Sequence, residues 1–175
     1  MENRTFNCSW GRMTRWITGG VFCLILFLIV LFSVTGFSDP DKTIGKSLAC
    51  VVTVSVCLAV VVIPAFFAPL KYYMTSEKIG VSRLGRDIVI PLGDIENVQI
   101  AQSADFSGTL RVFGSGGLYG SIGLFWNKRM GSFRAYTTRN DSLVIIKMKV
   151  GKLIVLSPDD SEAFVQAFVS FREAK

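Results

Sequence analysis

The chain has 175 residues and a formal net charge of +6, which fits one small domain with additional segments. Half of its residues are hydrophobic and only 18% are charged, whereas soluble domains usually have about one quarter charged residues. No histidine is present, which excludes histidine metal sites, His-based triads and the usual general base near neutral pH.

Two long uncharged stretches hold most of the excess hydrophobicity and predict a transmembrane helical hairpin. They cover residues 17–37 and 47–70, and each exceeds the about 18 apolar residues that indicate a membrane-spanning helix. Asp39-Pro40-Asp41 predicts a turn in the short connector. The alternatives are a core hairpin of a soluble protein and a cleavable signal peptide. The first stretch is longer than the about 7–15 residues of a signal-peptide core.

Basic residues beside the two stretches predict the orientation of the hairpin. Arg12 and Arg15 precede the first stretch, and Lys71 and Lys78 follow the second. Because cytoplasmic flanks are enriched in Lys and Arg, residues 1–16 and the region after the hairpin are both expected to be cytoplasmic. The prediction is an integral membrane protein whose termini and final domain lie on the cytoplasmic side.

Cysteine spacing gives no indication of a metal site or a disulfide framework. The four cysteines, of which three lie in the apolar stretches, form no CxxC pattern. The region after the hairpin has neither cysteine nor a recognisable nucleophile motif. We therefore expect no catalysis, no metal and no cofactor.

Residues 71–175 read mainly as short strands joined by tight turns. Asn140-Asp141 predicts one hairpin turn and Gly151-Lys152 predicts another. Strands at this spacing predict a meander of about seven strands that curls into a small barrel or sandwich.

The C-terminal segment changes to a helical period. Ser157 is the predicted cap, Pro158 fits the first helical position, and Asp159 and Asp160 suit the positive end of the helix dipole. An independent amphipathic helix on the membrane is the alternative, although a basic polar face is missing. The apolar residues at helical spacing, expected to close the barrel, are Phe164, Val165, Phe168, Val169 and Phe171.

Four segments carry a resemblance to a known family. They are FGSGGLYGSIGLF, GSFRAYTTR, DSLVIIK, and GKLIVLSPDD leading into the last helix. With the strand order and the closing helix, the chain from Lys71 to about Arg172 resembles the bacterial PH-domain membrane proteins, in which two transmembrane helices precede a pleckstrin-homology-like domain. The resemblance implies a PH-like barrel closed by a C-terminal helix. It implies no defined biochemical activity.

The glycine-rich stretch raises a separate question. A Walker loop would need GxxxxGK[ST], and a dinucleotide fingerprint would need glycine where Tyr119 stands, so nucleotide binding is not expected. Either these residues let the backbone approach a neighbour inside the domain, or part of the loop contacts the membrane or a partner. The glycines concerned are Gly114, Gly116, Gly117, Gly120 and Gly123.

Two basic groups are candidates for lipid or partner contact. Trp126 next to Lys128 and Arg129 has a composition suited to the membrane interface. The second group lies where phosphoinositide-binding PH domains carry a basic cluster, but its spacing departs from theirs and implies no inositol-phosphate specificity. An ordinary solvated face is the alternative. This second group consists of Lys78, Arg83 and Arg86.

These observations favour a membrane-anchored PH-like binding module that engages a protein partner or lipid headgroups at the cytoplasmic face. The alternative is a structural or scaffold subunit that self-associates in the membrane. Nucleic acid is not an expected partner, because the charges are mixed and no basic helix is present.

Overall fold

The computed structural model describes residues 3–36 and 43–173. Two long helices, α1 (Arg12–Gly36) and α2 (Thr43–Phe67), correspond to the two apolar stretches. Helix α1 begins before the predicted span, and α2 ends earlier than predicted, because Pro69 and Leu70 already belong to a strand. The predicted connector turn at Asp39-Pro40-Asp41 and the terminal residues 1–2 and 174–175 lie outside the described residues.

The remainder of the described chain forms two sheets and a C-terminal helix, α3 (Ser161–Glu173). The four-stranded sheet has the order β1-β2-β3-β4 and the six-stranded sheet has the order β5-β9-β10-β8-β7-β6. The strands of the first are β1 (Asn3–Asn7), β2 (Pro69–Thr75), β3 (Lys78–Arg83) and β4 (Ile88–Pro91). Those of the second are β5 (Ile95–Ile100), β6 (Leu110–Gly116), β7 (Ser121–Asn127), β8 (Gly131–Thr137), β9 (Val144–Met148) and β10 (Leu153–Leu156).

The prediction of about seven strands is therefore too low, and the N-terminus contributes one of those it missed. Residues 1–16 were expected to lie outside the domain, yet β1 pairs antiparallel with β2 from Asn3↔Thr75 to Asn7↔Lys71. The sequence of β1, NRTFN, has Phe6 as its one apolar side chain, so it lacks the alternation of apolar and polar residues that predicts a strand. Phe6 packs edge-on against Phe164, with ring centroids 5.0 Å apart.

The predicted hairpin at Asn140-Asp141 is wrong. Strand β10 lies between β8 and β9, parallel to β8, with Leu156 opposite Tyr136. The chain after β8 instead crosses to the far side of β10, and Arg139 forms an ion pair with Asp141 in this crossover. The turn at Gly151-Lys152 does join neighbouring antiparallel strands, β9 and β10.

The main core lies between the two sheets and is closed by α3, as the resemblance implied. Phe164, Phe168 and Phe171 of α3 are buried in it, while Val169 is exposed. The predicted cap is wrong, because Asp160 rather than Ser157 accepts the Ala163 backbone N–H at 2.8 Å. The other buried side chains of this core include Tyr72, Met74, Ile79, Val81, Val144, Ile146 and Leu156.

Candidate functional site

The start of α1 is fastened to the domain by backbone and side-chain hydrogen bonds. Gly11 N–H and the Thr14 hydroxyl both donate to the Thr138 carbonyl, at 3.0 and 2.7 Å. One turn further along α1, the Thr18 hydroxyl accepts the Tyr119 backbone N–H at 3.1 Å. Thr14 and Thr18 are both buried by these contacts. The first two turns of α1 therefore belong structurally to the domain.

A cluster of charged and polar groups secures the segment before α1. Asp159 accepts hydrogen bonds from the Ser9 backbone N–H at 2.8 Å and from the Ser9 hydroxyl at 2.7 Å. Arg139 bridges Asp159 and Asp141, with N–O distances of 3.1 and 2.6 Å. Burial alone would raise the pKa of Asp159, but the Ser9 hydrogen bonds and the Arg139 charge outweigh it and hold this pKa below its ordinary value. The hydrogen bond from Arg139 likewise lowers the pKa of Asp141.

Below this cluster lies a buried polar layer. The Tyr72 hydroxyl donates to the Tyr136 carbonyl at 2.6 Å and accepts the Ser157 backbone N–H at 3.2 Å. The Cys8 thiol is 3.4 Å from the Pro69 carbonyl oxygen. Burial, reinforced by the nearby Asp159 charge, raises the pKa of Cys8 to about 12, so the thiol is protonated at neutral pH. These groups are hydrogen-bonded and structural, and they present no nucleophile to solvent.

An open groove of about 1140 Å³ runs between α2 and the face of the sheet formed by β6, β7 and β8. Its helix wall extends from Val56 to Phe67, which corresponds to about 16 Å along the helix axis. Its sheet wall is also largely apolar and includes Phe113, Ile122 and Leu124. We call this the α2 groove.

Three arginines line the α2 groove, namely Arg83, Arg111 and Arg134. Among the described residues, none of these three guanidinium groups takes part in an ion pair, and no carboxylate lines the groove. Because no carboxylate in the described lining offsets their charge, these three arginines make the groove electropositive.

Arg83 has the most constrained position of the three. Its Nε donates to the Arg86 carbonyl at 3.0 Å, and a terminal guanidinium nitrogen makes a second, short hydrogen bond to the same oxygen. Its Cζ lies 5.9 Å from the centre of the Phe67 ring and 6.0 Å from that of Tyr136. Arg83 is therefore held in place at the end of α2.

The glycine-rich stretch forms the β6–β7 hairpin that walls the groove. A Cβ on Gly114 would lie 2.1 Å from the Ile122 carbonyl oxygen, and one on Gly123 would lie 2.2 Å from that of Phe113. Both glycines have positive φ, so the two strands approach at a distance that no side chain permits. In the connecting turn, a Cβ on Gly117 would lie 2.9 Å from Ile17 of α1.

The remaining glycines of the stretch have different surroundings. A Cβ on Gly120 would lie 2.0 Å from the Thr137 carbonyl oxygen, at the end of β8. Only glycine therefore fits at position 120 beside this strand. Gly116 leaves room for the Arg111 guanidinium, whose nearest nitrogen would lie 3.3 Å from an added Cβ. The stretch thus has both a packing role and a place beside the groove.

The structure separates the residues that the sequence grouped as contact candidates. Arg83 lines the α2 groove and Arg86 supports it through its carbonyl. Lys78 lies at the other end of β3 and contributes nothing to the groove.

Trp126, Lys128 and Arg129 lie at the β7–β8 turn, far along the hairpin from the turn that touches α1. The strand from Ser121 to Asn127 spans about 20 Å. Arg129 is near Asp105, at 3.8 Å, and the Asn127 side chain accepts the Met130 backbone N–H at 2.7 Å. Local contacts therefore account for the shape of this turn.

Two groove arginines, Arg111 and Arg134, were missed by sequence reasoning. The alternation of GSFRAYTTR does place Arg134 on the same face as Tyr136, opposite Phe133. A basic residue on the same strand face as an aromatic residue was the signal that could have identified Arg134. For Arg111 there was no such signal, because β6 is irregular between Arg111 and Phe113.

Within the described residues, one segment, Arg12–Leu31, is long and apolar enough to cross a membrane, and 11% of it is buried against the rest of the chain. The apolar part of α2, Val51–Phe67, is shorter. The structure thus provides one candidate span where the sequence predicted two.

Comparison with known proteins agrees with the domain architecture. The family described as the bacterial PH domain matches residues 70–171, from the start of β2 to the last turn of α3. No curated protein and no solved structure matches the chain. The matched region is the mainly β domain with its C-terminal helix, and it covers more than half of the sequence. The chain therefore belongs to the bacterial PH domain family.

Proposed function

We propose that this chain is a membrane-anchored binding module. In this proposal α1 and α2 cross the bilayer as a hairpin, and the PH-like domain lies against the cytoplasmic face, where it engages lipid headgroups or a protein partner without catalysis. The observation that most directly supports this proposal is the α2 groove, an electropositive site located where the domain meets the end of a long apolar helix.

The exposed surface of the helices supports the anchoring part of the proposal. Large apolar side chains project from them, including Trp16 at 80% and Phe27 at 61% exposure. An apolar surface of this length is incompatible with water and matches the hydrocarbon core of a bilayer. Helix α2 has 25 residues, which corresponds to about 37 Å, and its last 16 Å or so also face the domain across the groove. In this proposal the groove therefore lies at the level of the lipid headgroups and the adjoining acyl chains.

Cysteine accessibility tests the orientation. The native cysteines would be replaced by serine, and a single cysteine introduced by Lys42→Cys in the connector or Ser132→Cys in the domain. With the domain in the cytoplasm, a membrane-impermeant maleimide labels Lys42→Cys in intact cells and labels Ser132→Cys only after permeabilisation. The reverse pattern, or release of the chain by carbonate washing, would contradict the proposal.

A self-associating scaffold is the second candidate, and strand β6 favours it. This strand lies at the edge of the six-stranded sheet, with Leu110, Val112 and Phe113 exposed. Unpaired apolar edges are templates for pairing with another chain. The protein mass in detergent, measured by light scattering, separates the two candidates. A dimer that Val112→Lys converts to a monomer would favour the scaffold.

A further inference from the structure

We propose that the α2 groove holds one anionic phospholipid from the bilayer, with its phosphate on the arginines and its acyl chains along α2. This inference rests on the proposed membrane anchoring and identifies the ligand that the proposal left open.

The size and lining of the groove fit a lipid. Its volume of about 1140 Å³ exceeds the roughly 300–1,000 Å³ of sites for drug-sized molecules. The helix wall is aliphatic over three turns, with Val60, Ile63 and Pro64 along its length. A ligand that covers this wall must itself be largely apolar, because a polar ligand would lose its hydration without compensating hydrogen bonds.

The charge of the groove identifies the headgroup. The planar guanidinium groups of Arg111 and Arg134 suit bidentate contact with a phosphate, and Arg83 adds a third positive charge. No carboxylate competes for them in the described lining. Arg83 is already oriented by the Arg86 carbonyl and the Phe67 ring, so less side-chain freedom is lost on binding. A zwitterionic headgroup would bring its own cation and gain less from this cluster.

The location of the groove distinguishes a bilayer lipid from a free phosphate or an acidic peptide. A free phosphate would satisfy the arginines but leave the aliphatic wall of α2 uncovered. An acidic peptide could pair its backbone with the edge of β6, but its charged side chains would leave the aliphatic wall of α2 uncovered. A lipid satisfies both parts, and it can enter sideways because α2 continues as an apolar helix.

Native mass spectrometry of the full-length chain in detergent tests the proposal. The probes are dioctanoyl phosphatidylglycerol, dioctanoyl phosphatidylcholine and glycerol phosphate, which carries the anionic headgroup without acyl chains. The fraction of protein with one bound lipid, followed against lipid concentration, gives an apparent Kd. We expect one phosphatidylglycerol per chain, bound at least about fivefold more tightly than phosphatidylcholine, and no displacement by an equal concentration of glycerol phosphate.

Two pairs of matched variants separate the charged half from the apolar half. Arg111→Gln/Arg134→Gln is compared with Lys149→Gln/Lys152→Gln, which removes the same charge from exposed residues at the β9–β10 turn, outside the groove. Ala59→Phe, which fills the groove, is compared with Leu58→Phe on an exposed face of α2. Each arginine removed should weaken phosphatidylglycerol binding about fivefold, hence about 25-fold for the pair. Ala59→Phe should weaken both lipids, and each control should stay within about twofold.

Three results would overturn the proposal. Equal binding of the two lipids would show that charge does not determine binding. An equal loss of phosphatidylglycerol affinity in a variant and its control would show that the lipid does not bind in the groove. Displacement by glycerol phosphate would make the site one for free anions. Carbonate extraction separates the two proposals. If the chain stays in the membrane fraction and one of these three binding results is obtained, only the lipid site is refuted. If carbonate releases the chain, the membrane anchoring itself is refuted.

Discussion

Asp159 accepts both hydrogen bonds that Ser9 can donate, although the two residues are 150 positions apart in the chain. Ser9 lies between the N-terminal strand and the first helix, and Asp159 lies just before the last helix. This pair, with Arg139 beside it, joins the two ends of the described chain at the base of α1.

The first prediction concerns the charge of Asp159. Asp159→Asn removes one acceptor for Ser9 and the ion pair with Arg139, and we expect it to lower the free energy of unfolding by about 1 kcal/mol, since the site is partly exposed. Thermal unfolding in detergent measures the change. Asp94→Asn is the control, because the Asp94 carboxylate makes no hydrogen bond among the described residues; equal effects of both variants would contradict the role of the pair.

The second prediction concerns acid. The folded-state pKa values of Asp159 and Asp141 are lowered, so their contribution to stability is present above the unfolded value of about 3.9. It is lost as the pH falls through the lower folded values. The melting temperature of the wild type should therefore fall below about pH 4, and Asp159→Asn should show a smaller fall. An identical pH profile for the two proteins would argue against this cluster as the titrating group.

The third prediction uses Cys8 as a reporter of the joint. Because burial raises its pKa to about 12, Cys8 should resist alkylation at pH 8 in a variant whose other cysteines are serine. Asp159→Asn should accelerate labelling by loosening the segment that covers the thiol. Mass spectrometry gives the rate, and fast labelling of the parent at pH 8 would show that the segment opens freely.

The fourth prediction concerns the β6–β7 hairpin. Gly114→Ala would place a Cβ 2.1 Å from the Ile122 carbonyl and force the strands apart, with an expected loss of about 3 kcal/mol in the free energy of unfolding. Gly93→Ala is the control, because a Cβ there has no neighbour within 4 Å. Its effect should stay within about 0.5 kcal/mol. Similar melting temperatures for the two variants would contradict the close strand approach.

Sequence reasoning was most successful where a periodic pattern was long. The C-terminal helix was predicted because Phe164, Phe168 and Phe171 recur on one face, and they are buried in the core. The start of this helix was misplaced because Ser157, Asp159 and Asp160 are all good capping residues. Only the structure shows that Ser157 belongs to the buried layer and Asp159 to Ser9.

The groove could not be predicted because it depends on contacts that are distant in sequence. Arg83, Arg111 and Arg134 come from three strands, and the wall opposite them is a helix whose apolar sequence predicted a membrane span. The order of the strands could not be predicted either, because it also depends on contacts that are distant in sequence. An Asn-Asp turn indicates a reversal of the chain but does not say that β10 will be inserted beside β8.

The pairing of β1 with β2 has a consequence for biosynthesis. Asn7 and Lys71 face each other across this ladder, and the whole helical hairpin lies between them in sequence. If the hairpin crosses the membrane as proposed, this ladder can close only when both helices insert, because failure of the second helix would leave β1 and β2 on opposite sides of the bilayer. The domain would then lack its edge strand β1, and the backbone groups of β2 would be unpaired. In a membrane-anchored chain, the hydrogen bonds between β1 and β2 would therefore form only after both helices had inserted.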